Sequence, residues 1–262
     1  MQLYYIRHAQ SQNNALYDQS GSYSGRNEDP ELTPLGLQQA QLLAQFLAGR
    51  QNGGAPDGGD LQNGRGFGLT HLYTSPMVRA AQTGTLVSQA LGLPLEAWPD
   101  LHEGGGIFLD DPVTGVPTGL PGKNRFELQA RFPDLRLPES IGEAGWWSKP
   151  FEGRPERRAR AQRVLSGLLE RHGATDHRVA FFSHGGFYNH LIAALTGLSD
   201  REEQVSEEAR LAMNAENLLF GPGVSIWFSL NNTAITRIDF TPSEVKLVYQ
   251  NRLDFLPSDL IT

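Results

Sequence analysis

Three segments of the chain place an arginine or a histidine directly after an apolar, strand-like run. Leu3–Arg7 leads into Arg7-His8-Ala9-Gln10-Ser11, Leu69–Thr74 into Thr74-Ser75-Pro76-Met77-Val78-Arg79, and Arg178–Ser183 into Ser183-His184-Gly185-Gly186. Guanidiniums grip an anion's oxygens as a fork, and helix N-termini add backbone N–H donors. If the three ends share one face, Arg7, His8, Arg79 and His184 together suit a phosphoryl group. A neutral imidazole is a nucleophile, and neighbouring cations keep it from protonating. A displaced alkoxide then needs a proton. Leu101-His102-Glu103-Gly104 offers Glu103 as a general acid, provided the carboxyl group holds that proton.

These residues need elements to carry them. Short apolar runs at Leu3–Arg7, Leu69–Thr74 and Arg178–Ser183 read as strands. Thr33 suits an N-cap and Pro34 the first helical position, with Leu35, Leu42, Leu43, Phe46 and Leu47 on one face. Val78–Leu91, Pro155–His172 and Gly186–Leu195 read as helices, the second with Val164, Leu165, Leu168 and Leu169 inward. Ser199–Leu219 reads as an acidic helix, and Ser225–Leu230, Ala234–Phe240 and Val245–Asn251 as closing strands. This alternation predicts an α/β fold: a three-layer sandwich with a largely parallel central sheet and helices on both faces. Ligands bind such sheets beyond the carboxyl ends of the strands, where the three motifs lie.

The chain reads as one domain of 262 residues with two irregular stretches. Residues 49–68 hold eight glycines and no apolar period, which predicts a flexible surface loop. Residues 104–154 are rich in Gly and Pro but carry Ile107, Phe108, Phe126, Phe132, Trp146, Trp147 and Phe151, which predicts an inserted, lid-like piece. Substrate specificity is expected there, with Lys123, Arg125 and Arg131 as cations for further anionic groups. The arginines between Arg154 and Arg163 read as a solvated helix face. Among the other histidines, His71 reads as a strand residue, His102 points away from Glu103 by strand alternation, and His172 and His177 read as surface. His184 and His190 are six apart, a spacing that does not pair ligands on one helix face.

Composition narrows the possibilities. The chain is 39% hydrophobic and 19% charged, with no apolar run near the ~20 residues of a membrane span. The net charge of −7 argues against nucleic-acid binding. There is no cysteine, so disulfides, thiolate metal sites and a Cys nucleophile are excluded. With no signal-like N-terminus, a cytoplasmic location is expected.

The motifs also resemble a known family. Arg7-His8-Ala9-Gln10-Ser11 is similar to the Arg-His-Gly-x-Ser/Thr signature of the histidine phosphatase superfamily, in its phosphoglycerate mutase-like branch. Asn14 falls where that family often has a pocket Asn. Gly25-Arg26-Asn27-Glu28-Asp29 with Leu32-Thr33-Pro34-Leu35-Gly36 and Gln39-Ala40 resembles its first-helix entry. Ser75-Pro76-Met77-Val78-Arg79-Ala80-Ala81-Gln82-Thr83, Leu101-His102-Glu103, Ser183-His184-Gly185-Gly186 and Asn232-Thr233-Ala234-Ile235-Thr236 resemble its later motifs. The resemblance implies that His8 takes the phosphoryl group as a phosphohistidine. It implies that Arg7, Arg79 and His184 clamp the phosphate, Asn14 contacts it, and Glu103 serves as acid and then base. It implies no metal and no cofactor. Ala9 replaces the usual Gly and would be strained if the position needs positive φ. Arg26 stands where many mutases have Trp.

The leading expectation is hydrolysis of a phosphomonoester of a small metabolite. The alternatives are a phosphoglycerate mutase-type phosphotransferase and a non-catalytic module that binds a phosphorylated ligand. Expected partners are the small phosphorylated substrate, with no nucleic acid and no membrane; the acidic helix and edge strands near the C-terminus offer a homodimer surface.

Overall fold

A computed structural model describes residues 1–49, 60–197 and 227–262. A seven-stranded sheet is built from β1 (Gln2–Arg7), β2 (His71–Thr74), β3 (Leu95–Ala97), β6 (Leu135–Arg136), β7 (Arg178–Ser183), β8 (Ile235–Phe240) and β9 (Val245–Arg252). Its order is β6-β3-β2-β7-β1-β8-β9. The pairs from β6 to β1 are parallel, and β8 and β9 close the sheet antiparallel. A separate hairpin joins β4 (Phe108–Asp110) to β5 (Pro117–Gly119).

The central strands are apolar on both faces, as strands covered by helices on both sides must be. Tyr4, Ile6, Ala180 and Phe182 point to one face, where α2 (Pro34–Gly49) and α3 (Val78–Leu91) pack. Their neighbours Leu3, Tyr5, Val179 and Phe181 point to the other, against α5 (Arg154–His172) and α6 (Gly185–Thr196). This alternation gives the expected three layers. No helix among the described residues is long and apolar enough to cross a membrane.

Several elements differ from the sequence reading. α1 (Gln12–Ser20) buries no residue, so no apolar period announces it. It starts from a reciprocal capping box between Ser11 and Asn14. On α5, Leu169 is exposed, and the inward stripe is Arg160, Val164, Leu168 and His172, each four residues from the next. Trp227–Leu230, the described part of an expected strand, is irregular, while residues 198–226, with the expected acidic helix, lie outside the described residues.

Within the glycine-rich stretch, 50–59 also lie outside the described residues. From Asp60 onward the chain is held down: Phe67 is buried, and the Asn63 side chain donates to Tyr4 Oη and accepts from Tyr249 Oη. In the 104–154 stretch, Ile107, Leu128, Phe132, Ile141, Trp146 and Trp147 join the core on the α2/α3 side, and α4 (Arg125–Arg131) leads into β6 at the sheet edge.

Candidate active site

The register of the sheet brings the motifs together. Arg7 of β1 lies opposite Ser183 of the adjacent parallel β7, so the next residues, His8 and His184, leave the sheet side by side. β2 ends one strand further along, with Thr74 opposite Phe182, and delivers Ser75 and the start of α3. The His8 and His184 ring centroids are 5.1 Å apart. Arg79, in the first turn of α3, donates from Nε to His8 Nε2 at 3.1 Å. A cleft of about 430 Å³ beside them is lined by Arg7, His8, Asn14, Arg26, Arg79 and Glu103 among others, while His184 is fully buried behind this lining.

His8 is held in one useful tautomer. Its Nδ1 lies 2.7 Å from the Ala9 carbonyl, an acceptor only, so Nδ1 carries the proton and Nε2 keeps its lone pair. Burial, then Arg79 and Arg7, hold its pKa well below the ordinary histidine value. Burial and Arg79 do the same for His184, whose Nε2 meets Ser75 Oγ at 2.9 Å. Arg7 Nη1 donates to the Leu230 carbonyl, but Arg7 Nε and His184 Nδ1 are buried without a partner. Such unpaired buried groups are rare and need a reason. Two nitrogens from adjacent strand ends, with Arg79 as a second guanidinium beside them, match an anion with several oxygens.

Glu103 is gripped by the N-terminus of α6. Its Oε1 accepts from the Gly104 and Phe187 N–H groups, both at 2.8 Å, and its Oε2 from Gly186 N–H at 3.0 Å. Gly186 is required, since a Cβ there would lie 2.5 Å from Oε1. Oε2, with one partner, keeps a lone pair for a further contact. Asn14 spends its Oδ1 on Ser11 and on Asn232 Nδ2 at 3.3 Å, leaving its Nδ2 as the donor available to a ligand.

Other residues position these groups. Asn232 Nδ2 donates to the His8 carbonyl at 2.9 Å, and Thr233, at φ 62°, donates its N–H to the Arg7 carbonyl at 3.1 Å. Ser183 Oγ donates to Leu101 O at 2.7 Å and ties the Glu103 loop to β7. Asp29 accepts the Val78 N–H at 2.9 Å and stands 4.0 Å from Arg79 Nη1. It caps α3, whose own N-cap Met77 has no side-chain acceptor, and it steadies Arg79.

The arginine-rich face of α5 corrects the sequence reading. Arg160 is 1% exposed, not solvated, and forms a bidentate pair with buried Glu152 at 2.6 and 2.7 Å. Its Nη1 donates to the carbonyls of Asp100 and His102 at 2.7 and 2.8 Å, fixing the loop that ends in Glu103. The four-residue stripe through Arg160 and Val164 was the available signal. His102 faces away from the cleft, as expected, against Trp147 and toward Glu152.

Ala9 carries no strain: among the described residues, the non-glycine ones at positive φ are Asn63, Thr233 and Asn251. Its methyl packs with Leu32 and Ala40 beside the cleft. The cations expected to contact further anionic groups are used elsewhere. Arg125 donates to the Ile141 and Pro138 carbonyls, and Arg131 pairs with Glu31 at 2.7 Å. Lys123 is not among the residues lining the cleft, and from 104–154 only Gly104 and Phe108 are. The additional guanidinium at the cleft is Arg26, stacked 4.2 Å over Phe108 with Nε buried and unpaired.

A family match decides the identity. The model of the histidine phosphatase superfamily (branch 1) matches residues 3–55 and 61–207. The chain belongs to this superfamily. Among curated relatives, it is 25% identical to a putative phosphoserine phosphatase 2 of Hydrogenobacter thermophilus, over 96% of this chain and 95% of that protein. It is 24% identical to a probable phosphoglycerate mutase GpmB of Yersinia pestis, over 78% and 79%. Among solved structures, a phosphoserine phosphatase of Entamoeba histolytica in complex with phosphoserine aligns at TM-score 0.53 and 19% identity, covering 98% of this chain and 99% of that one. The ecdysone phosphate phosphatase of Bombix mori aligns at TM-score 0.55 and 16% identity, covering 94% and 91%. These structures share the histidine phosphatase fold. Membership and the relatives support phosphatase activity in this chain.

Proposed function

We propose that this histidine phosphatase hydrolyses phosphomonoesters of small metabolites through a phosphohistidine on His8. The observation that carries the reading is the His8 ring: its proton is fixed on Nδ1, and its Nε2 lone pair sits among Arg79, Arg7 and His184. The Nε2 pair attacks phosphorus and the ester P–O bond breaks. The guanidiniums move onto the phosphoryl oxygens and carry the charge that a metal carries elsewhere, so the reaction needs none. Glu103 gives its proton to the departing oxygen. A water then attacks the phosphohistidine and returns a proton to Glu103; the P–N bond breaks, its electrons return to Nε2, and inorganic phosphate leaves. Asn14 Nδ2 and Arg26 hold the substrate. Localisation in the cytoplasm and a homodimer are parts of the same proposal that rest on the sequence alone.

The mutase reading shares the first half-reaction and is supported by the mutase-named relative. Incubation with 3-phosphoglycerate separates the two. Hydrolysis predicts inorganic phosphate without isomer; isomerisation without phosphate release would replace the phosphatase reading by the mutase one.

Glu103→Gln removes the transferable proton while keeping an oxygen for the Gly104 and Phe187 N–H groups. The loss of kcat is expected to be ~10²–10³-fold with alkyl phosphates, and much smaller with p-nitrophenyl phosphate, whose leaving group needs no proton. Equal losses on both substrates would remove Glu103 from proton transfer.

A further inference from the structure

The opposite end of the sheet, at the amino ends of β2 and β7, holds a second cluster of chemistry-bearing groups. His71 opens β2, His177 immediately precedes β7, and His172 ends α5, whose C-terminus meets the amino ends of these strands. Sequence expected a strand histidine and two surface ones; instead His172 is buried and all three converge. One ring nitrogen from each lies within 4.8 Å of the other two. His172 Nδ1 and His177 Nδ1 are 2.9 Å apart, and the His71 ring centroid is 4.7 Å from that of His172 and 4.4 Å from that of His177.

We propose that His71, His172 and His177 form a binding site for a zinc-class divalent metal ion, away from the phosphate cleft, that clips β2, α5 and β7 together. The rings are oriented as ligands are. His172 has its Nε2 tied to Tyr73 Oη at 3.1 Å, which turns Nδ1 toward the cluster. His71 has its Nδ1 tied to Thr70 Oγ1 at 2.9 Å, which frees Nε2. A hydrogen bond on the outer nitrogen fixes ring orientation in metal-ligating histidines. The turn between His172 and His177 is pinned by Thr175, whose hydroxyl donates to His172 O at 2.7 Å and accepts from His177 N–H at 3.1 Å.

A tetrahedral zinc with bonds of about 2.0–2.1 Å places its nitrogens roughly 3.3 Å apart, so small ring rotations suffice. Three imidazoles leave the fourth position to water. In the His172–His177 pair one Nδ1 carries a proton; that ring moves it to its Nε2 through solvent, so each Nδ1 turns a lone pair to the ion and the proton stays on the ring. The C-terminal end of α5 favours a cation. Glu96 on the neighbouring β3 adds negative charge near His71, while Arg171 is turned onto the Trp98 ring at 4.2 Å.

The test is equilibrium dialysis of the whole protein against micromolar zinc at pH 7.5, with metal counted per chain, repeated with cobalt(II) to read geometry from its visible spectrum. Wild type and His8→Ala are expected to bind one equivalent, with the intense bands of tetrahedral cobalt. His71→Ala and His177→Ala are expected to lose at least about tenfold in affinity and the bands, while retaining their circular dichroism and turnover, which shows that they fold. Zinc should raise the Tm of wild type and not of these two variants. No binding by wild type, or equal binding by all four proteins, overturns the proposal. Loss in His8→Ala alone would place the metal in the phosphate cleft and overturn it too.

Discussion

His8→Ala lowers phosphomonoester turnover by about 10⁴-fold or more, the scale seen when an enzyme loses its covalent nucleophile. The variant keeps Arg7, Arg79 and His184, so inorganic phosphate still binds, and the defect appears in kcat rather than in KM. The substitution also removes one imidazole packed against His184 and the bond to the Ala9 carbonyl. Circular dichroism and phosphate affinity, measured on the same sample, separate a missing nucleophile from a damaged fold. Turnover within tenfold of wild type would mean that another group attacks phosphorus.

The second large effect is on stability. His8, His102 and His184 are all held well below the usual histidine pKa, first by burial and then by nearby arginines: Arg79 for His8 and His184, Arg160 for His102. In the unfolded chain each protonates near pH 6.5. Below that pH the unfolded state binds more protons, so stability is complete above about 6.5 and falls as the solution is acidified. Between pH 7.5 and 5.5 the three groups together remove at most about 4 kcal/mol, and Tm drops by up to roughly 10 °C. Asp29 works the other way, since burial raises its pKa and its contribution shrinks as pH rises, but it is one group against these three and His172, which burial lowers to about 4. Calorimetry across this range checks the slope; a flat Tm would mean that the rings charge without unfolding.

Much of the site is legible along the chain because each motif sits at the end of a strand that reads as a short continuous apolar run. Leu3–Ile6 and Val179–Phe182 are buried on both faces, and a parallel pairing in register sets His8 beside His184. What escapes reading has a physical reason. α1 buries none of its residues and is specified by its capping box, a signal of two residues. Arg160 looks like one arginine among many; only its four-residue spacing from Val164, Leu168 and His172 marks it as inward. The role of Arg26 depends on Phe108, 82 positions away, folding over it. Lys123, Arg125 and Arg131 drew attention by charge alone, and carbonyls and Glu31 claim the latter two.

The family, the fold and the neighbouring imidazoles all lead to one bond, between phosphorus and His8 Nε2. It is tested most directly by mixing the protein with a phosphomonoester labelled in its phosphoryl group, quenching in alkaline denaturant within a turnover, and mapping the label by peptide mass spectrometry. The expected result is alkali-stable, acid-labile phosphate on His8, approaching one per chain and absent from His8→Ala. Label on any other residue, or continued turnover with no label at any quench time, would contradict the account.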